Sequence, residues 1–246
     1  MPPACNRFRV PRRLVSQLSR WIAGALLYGL CTVLGGGAVA GYEEGLQAFD
    51  SGDFAAAYRE WLPLAEAGDP RAQHGLGLLY ETGSGVEKRS YSEALKWYRL
   101  AAAQGLPAAI SNIALMYAEG RGVPQDLEQA ASLWEQAAAA GLPMAQFNLG
   151  LMYFGGRGVD PDDRLAARWF AEAAAQGLAD AQFAIGEMYR LGRGVDKDLD
   201  EARRWFAMAA AAGYPAAAER LAALGGPLPP EAEAARQAAP DTSTAQ

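Results

Sequence analysis

A sequence unit of about 36 residues recurs along most of this chain, and it restricts the folds that the chain can adopt. The stretch Gly-Arg-Gly-Val begins at Gly120, Gly156 and Gly192, and Gly-Ser-Gly-Val begins at Gly83. Such self-similarity is typical of repeat architectures, in which each unit packs on its neighbours. Other residues recur in step with these turns: Trp61, Trp97, Trp134, Trp169 and Trp205; Tyr80, Tyr117, Tyr153 and Tyr189; and Gly68, Gly105, Gly141, Gly177 and Gly213.

Each unit contains two stretches with helical periodicity, separated by the Gly-x-Gly-Val turn. Apolar residues recur at three- and four-residue steps in both stretches, for example in residues 145–154 and 164–177. A glycine after the last turn of a helix supplies the left-handed conformation that ends it. We therefore predict that paired glycines form structural turns after the first helix of each unit, namely Gly83, Gly85, Gly120, Gly122, Gly156, Gly158, Gly192 and Gly194.

The start of each second helix is marked by an N-cap residue type. In three units a Glu or Gln follows three positions later, which predicts a capping box. We interpret the carboxylates at these starts as caps and solvated groups rather than as ligands. The predicted caps are Ser90, Asp126, Asp162 and Asp198, and the capping-box partners are Glu93, Gln129 and Glu201.

The glycine pairs lack the spacing of a nucleotide-binding loop. The position of a third glycine holds Gln125, Pro161 and Lys197 in the three Gly-Arg-Gly-Val copies, and no Gly-Lys-Ser/Thr follows. His74 is the only histidine, and the two cysteines lie within the first 40 residues. A metal site needs companion ligands, so we predict no metal site, no cofactor and no catalytic centre.

The combined pattern of Ala-Gln, Leu-Gly, Met-Tyr, Gly-x-Gly-Val, Asp, Trp-Phe or Trp-Tyr, Ala-Ala and Gly resembles the Sel-one-like repeat, a relative of the tetratricopeptide repeat. The resemblance implies an all-α fold, an α/α superhelical repeat solenoid of antiparallel helix pairs. Residues 41–71 look like a plain tetratricopeptide-like repeat with Gly52-Asp53-Phe54 in place of the longer loop. The remaining divisions are four repeats at about 72–108, 109–144, 145–180 and 181–216, a capping half-repeat at 217–224, and an expected mobile tail at 225–246.

The first 40 residues differ in composition from the rest of the chain. They contain five arginines and no acidic residue, and an apolar stretch from Trp21 ends in Ala38-Val39-Ala40. This pattern predicts a signal peptide over residues 1–40, cleaved after Ala40. An uncleaved membrane anchor over residues 21–40 is the alternative. We expect an exported protein, either periplasmic or secreted, or else one anchored in the inner membrane and facing the periplasm.

The charge balance argues against a nucleic-acid partner. The chain has 22 basic and 28 acidic residues, a net charge of −6. Cleavage after Ala40 would remove five arginines and leave 17 basic residues (22 − 5) against 28 acidic ones, a net charge of about −11. A surface this acidic repels nucleic acid and anionic lipid.

The family resemblance implies a non-catalytic scaffold or adaptor that binds a protein or peptide segment through the concave face of the solenoid. The N-terminal pattern leads us to expect that it does so in the bacterial envelope. An envelope hydrolase on a repeat scaffold and a membrane-anchored periplasmic regulator are the alternatives. In tetratricopeptide relatives the first helix of each unit lines the groove, which predicts a groove here that is apolar in the middle and charged toward its ends. Packing of Phe147 and Phe154 between neighbouring helices is the alternative interpretation of those two residues. The predicted partner-binding residues are Met144, Phe147, Leu151, Phe154, His74, Leu115, Phe183 and Arg190.

Overall fold

The computed structural model describes residues 36–227 of the 246-residue chain. This range holds eleven helices and no strand, and each helix packs on the next. The predicted all-α repeat solenoid is confirmed. The helices are α1 (Gly36–Ser51), α2 (Phe54–Glu66), α3 (Pro70–Thr82), α4 (Tyr91–Ala103), α5 (Pro107–Glu119), α6 (Leu127–Ala139), α7 (Pro143–Gly155), α8 (Asp163–Ala175), α9 (Ala179–Leu191), α10 (Leu199–Ala211) and α11 (Pro215–Ala223).

The helices form four full units between a shorter pair and a single helix. We call α3, α5, α7 and α9 the first helices and α4, α6, α8 and α10 the second helices of these units. The pair α1 and α2 is joined by a tight turn at Gly52-Asp53, and α11 stands in the position of a further first helix. The predicted cleavage point after Ala40 lies within α1. The rest of the predicted signal peptide and most of the tail, residues 1–35 and 228–246, lie outside the described residues.

The predicted glycine turns end the first helices by the expected mechanism. All eight paired glycines have positive φ values between 59° and 77°. The first glycine of each pair is the left-handed C-cap of its helix, and its N–H donates to the carbonyl four residues earlier, as between Gly120 and Met116. Because L-residues with a side chain rarely adopt this conformation, the repeated glycine pairs specify where each first helix stops.

The predicted N-caps are confirmed, but the capping boxes need correction. The side chains of the four caps accept from backbone N–H groups in the first turn of the second helix, as Asp126 does from Gln129 N at 2.9 Å. The N–H of each cap donates instead to a tyrosine carbonyl at the end of the first helix; Ser90 N lies 2.9 Å from Tyr80 O. This backbone bond closes the turn and satisfies the N–H that a capping-box Glu or Gln would otherwise accept from.

Each second helix, and α2 before them, packs a large side chain against a small residue of the helix preceding it. Phe170 lies against Gly150 and Phe206 against Gly186, where an added Cβ would come within 2.6 and 2.7 Å of the rings. Trp134, eight residues after its cap, holds this position in α6 and clusters with Ala114. Trp61 and Tyr98 hold it in α2 and α4.

The tryptophans therefore do not form one series, as their spacing had suggested. Trp97, Trp169 and Trp205 each lie seven residues after their caps, one position earlier than Trp134. They pack against clusters that join the second helix of the preceding unit, or α2, to the first helix of their own unit. In α6 this earlier position is held by Leu133, which also packs on two clusters. The side chain eight residues after the cap thus packs between the two helices of one unit, whereas the side chain seven residues after the cap packs where two units meet.

Candidate functional site

The first helices lie side by side, with direct contacts from one unit to the next. Asn112 Nδ2 in α5 donates to His74 Nε2 in α3 over 3.1 Å. The turn after α9 places the Arg193 guanidinium 4.1 Å from the centroid of the Phe154 ring in α7. We call the surface formed by α3, α5, α7 and α9 the first-helix row. It is the candidate partner-binding face.

The predicted apolar residues in the middle of the row are half-buried. Phe147 and Phe154 lie with ring centroids 5.6 and 6.4 Å from that of Phe170, and together with Met144 and Leu151 they pack against the cluster formed by α8 and α9. Leu115 packs in the same way against the cluster of α6 and α7. Part of each side chain therefore contributes to packing between helices, and part remains at the surface of the row.

Phe183 does not belong to the accessible surface, which corrects its predicted position. Its side chain is only 6% exposed. The Phe183 ring centroid lies 5.6 Å from that of Phe206 and 4.9 Å from that of Tyr214, which stacks on it. Tyr214 immediately precedes α11, so the half-repeat covers the position that in α7 is held by the half-buried Phe147.

At the N-terminal end of the row, polar groups form a closed network. Tyr98 Oη donates to Glu81 Oε2 over 2.6 Å, and Arg121 Nη1 donates to Glu81 Oε1 over 2.7 Å. Burial, and next the charge of Glu81, raise the pKa of Tyr98 well above its usual value. These bonds join α3 and α4 to the turn after α5.

His74 is part of the same region, with its ring centroid 5.6 Å from that of Tyr98. Burial lowers the pKa of its imidazole to about 4. The ring is therefore neutral at pH 7 and accepts from Asn112. This environment makes His74 a packing and hydrogen-bonding residue between two units.

The C-terminal end of the row is also charged and internally paired. Arg190 donates to both carboxylate oxygens of Glu187, over 3.0 and 2.7 Å. Arg220 of α11 donates to the same carboxylate over 3.1 Å. Burial raises the pKa of Asp180. The predicted sequence of a charged end, an apolar centre and a charged end is thus present, and Arg190 is held by an ion pair within its own helix.

Sequence reasoning overlooked the arginines of the three Gly-Arg-Gly-Val turns, Arg121, Arg157 and Arg193. Two of them reach back to the preceding unit, where Arg121 pairs with Glu81 and Arg193 with Asp163. Their recurrence at one position of three equivalent turns was the signal in the sequence that could have identified them.

Among residues 36–227, no group of three His, Cys, Asp or Glu side chains is placed to hold a metal ion. Within the same range, none of the helices combines the length and apolar character required to cross a membrane.

The repeat units match a known family model. The model described as Sel1 repeat matches residues 70–106, 107–142, 143–178 and 179–214. This chain belongs to the Sel1 repeat family. The four matches begin at the first residues of α3, α5, α7 and α9, two residues before the boundaries predicted from the sequence. Sel1 repeats generally mediate protein–protein interactions and form a fold that is generally non-catalytic.

Solved structures with this fold are similar over about three quarters of the chain. A Sel1 repeat protein from Oxalobacter formigenes is 36% identical with a TM-score of 0.69, over 76% of this chain and 55% of that one. A protective antigen of uropathogenic Escherichia coli strains, which displays an SLR fold, is 33% identical with a TM-score of 0.67, over 73% of this chain and 39% of that one. The match thus spans only part of each of these relatives.

One curated protein is similar over a shorter region. An ERAD-associated E3 ubiquitin-protein ligase component of Arabidopsis thaliana is 39% identical over 57 residues, which is 23% of this chain and 9% of that protein. The similarity is therefore confined to a small part of a much longer molecule.

Proposed function

We propose that this Sel1 repeat protein is a non-catalytic scaffold or adaptor that binds a segment of a partner protein across the first-helix row. The supporting observation is the arrangement of side chains along the row. A half-buried apolar centre, which includes Leu115, Leu151 and Phe154, lies between two ends whose charged groups are already paired. In protein interfaces, recessed apolar anchors supply most of the binding energy, while a polar rim fixes orientation.

The test uses substitutes that the chain itself has in the preceding unit. Ser111 and Ala118 of α5 hold the positions of Phe147 and Phe154 in α7. The double variant Phe147→Ser with Phe154→Ala removes both rings, and because both are half-buried against Phe170 it should lose about 2–4 kcal/mol of stability. Its helical circular dichroism should persist, while capture of a partner from the envelope fraction should fall about tenfold or more.

A matched control removes exposed apolar side chains outside the row. Leu100 of α4 and Met208 of α10 are 44% and 47% exposed, so Leu100→Ser with Met208→Ala tests for non-specific apolar capture and should leave the partner bound. Undiminished capture by the folded Phe147/Phe154 variant would show that the row is not the binding surface. Loss of helicity in that variant, with capture retained by each single variant, would assign both rings to the core.

We also propose that the protein acts in the bacterial envelope. The support is the N-terminal pattern of arginines, an apolar stretch and Ala38-Val39-Ala40. A reporter that is active only after export, fused behind residues 1–45, should be active; an inactive fusion would contradict export. N-terminal sequencing of the exported protein then distinguishes cleavage after Ala40 from anchoring through residues 21–40.

A further inference from the structure

The middle arginine of three equivalent turns lacks the carboxylate that its two counterparts have. Arg121 Nη1 lies 2.7 Å from Glu81 Oε1, and Arg193 Nη2 lies 2.6 Å from Asp163 Oδ1. Arg157 occupies the same position in the turn after α7 and is exposed. In the part of the chain that the structure describes, its guanidinium has no ion pair and no hydrogen bond.

The reason lies in the unit before each turn, which supplies the carboxylate from one of two positions. Glu81 is the residue before the end of α3, and Asp163 is the first residue of α8. In the unit before Arg157 these two positions hold Ala118 and Leu127. Both positions that supply the carboxylate in the other two cases are therefore apolar in the unit before Arg157.

The backbone around Arg157 is held in place by the same contacts as in the other turns. Arg157 N donates to Met152 O over 3.0 Å. Gly158, the next residue, has a φ of 72° and packs so closely on the start of α6 that an added Cβ would overlap the Leu127 carbonyl. On the other side, Gly155 offers no side chain and is exposed. The turn thus fixes the backbone of Arg157 while leaving its side chain open to a ligand.

We propose that Arg157 binds the carboxylate of an aspartate or glutamate in the partner segment, and that an apolar neighbour of this residue occupies the row at Leu115 and Phe154. The inference rests on the proposed function and specifies the chemistry of the partner. A guanidinium binds a carboxylate through two parallel N–H···O bonds, which fixes orientation as well as adding affinity. The partner's carboxylate takes the place that Glu81 and Asp163 have in the neighbouring units.

The experiment is a selection of short random peptides displayed through their C-termini, so that the only carboxylates offered belong to side chains. The full-length protein should recover peptides with Asp or Glu beside a large apolar residue. A protein of net charge −6 attracts basic peptides non-specifically. Recovery of acidic peptides therefore cannot be explained by non-specific attraction. Arg157→Gln should weaken binding of the recovered peptides about tenfold.

The matched control is Arg168→Gln. Arg168 is an exposed arginine of the second helix α8 that pairs with Glu172, so its replacement makes the same change of charge outside the row and should leave affinity unchanged. Replacing the acidic residue of the peptide by its amide should cost as much as Arg157→Gln, and both changes together should cost no more than either alone.

The outcomes separate this inference from the proposed function. Recovered peptides without an acidic residue, or peptides whose affinity is the same for Arg157→Gln, would overturn the role of Arg157. If binding of those peptides still requires Phe147 and Phe154, the proposed function stands without a role for Arg157. If the protein recovers no peptide at all, both proposals fail.

Discussion

A buried glutamine near the start of three first helices joins the unit to the one before it. Gln73 Nε2 donates to Ala65 O at the end of α2, and its Oε1 accepts from Gln104, the residue that ends α4. Gln146 makes the equivalent bonds to Ala138 O and from Gln176. Gln182 donates to Ala174 O, but among the described residues nothing donates to its buried Oε1, because Ala212 stands where the other units have Gln104 and Gln176.

Ala212→Gln should therefore stabilise the protein. The backbone angles of Ala212 (φ −78°, ψ 3°) are close to those of Gln176 (φ −84°, ψ 5°), so the new amide can reach Gln182 as Gln176 reaches Gln146. Satisfying a buried acceptor is worth about 1 kcal/mol, measurable by urea unfolding. The control is Ala140→Gln. Ile110 holds the position of Gln182 in that unit, and its side chain has no hydrogen-bond acceptor. An equal gain in unfolding free energy in both variants would contradict the explanation.

At the scale of the helices, the sequence was most informative where the deciding chemistry is local. The glycine pairs and the caps lie within one turn of the helix ends that they specify, so their pattern predicted both the number and the order of the helices in the four units. Ala145 and Leu149, four residues apart in the periodic stretch 145–154, are both buried, as a helix with one apolar face requires.

Contacts between units were not predictable from one helix at a time. Phe183 and Phe147 hold the same position in their helices, yet Tyr214, 31 residues later in the chain, buries only Phe183. The shift of Trp134 by one position is visible only in its distance from the cap, since residue type alone places the tryptophans in one series. The lowered pKa of His74 likewise comes from burial, in a region where the ring contacts both Tyr98 of α4 and Asn112 of the next unit. The outline of the candidate row was therefore predicted, but the burial of Phe183 and the pairing of the charged groups at the two ends were not.

Two glycines with similar backbone angles should differ in how much a methyl group costs. Gly177 (φ 88°) has open space around its Cβ position, whereas Gly158 (φ 72°) packs on the first turn of α6 in the preceding unit. Gly177→Ala should cost about 1 kcal/mol, from the left-handed conformation alone. Gly158→Ala should cost about 2 kcal/mol more, because the turn must also move away from α6. If urea unfolding gave equal losses of unfolding free energy for the two variants, Gly158 would be needed only for its own left-handed backbone conformation and not for the contact with α6.

For the molecule as a whole, stability is divided among contacts between successive helices. The major contacts are all between helices adjacent in the sequence, and the five buried clusters follow one another along the stack. In such an arrangement the free energy of unfolding is approximately the sum of the stabilities of the single units and of the interfaces between them. A change at one end therefore affects distant units little. Among the described helices, α11 alone covers the side of the fourth unit that faces away from the third unit.

Ending the chain after Gly213 should therefore weaken only the fourth unit. Compared with a chain ending after Pro227, this change removes the Tyr214 ring from Phe183 and the 2.8 Å bond from Arg203 Nε to Leu224 O. Amide protons of α9 and α10 should exchange with solvent at least about tenfold faster, since protection reports the free energy of local opening. Those of α3 to α6 should keep their rates because neither helix pair touches the removed segment. Uniform acceleration through all four units would show that the stack unfolds as one cooperative body and would contradict local weakening of the fourth unit.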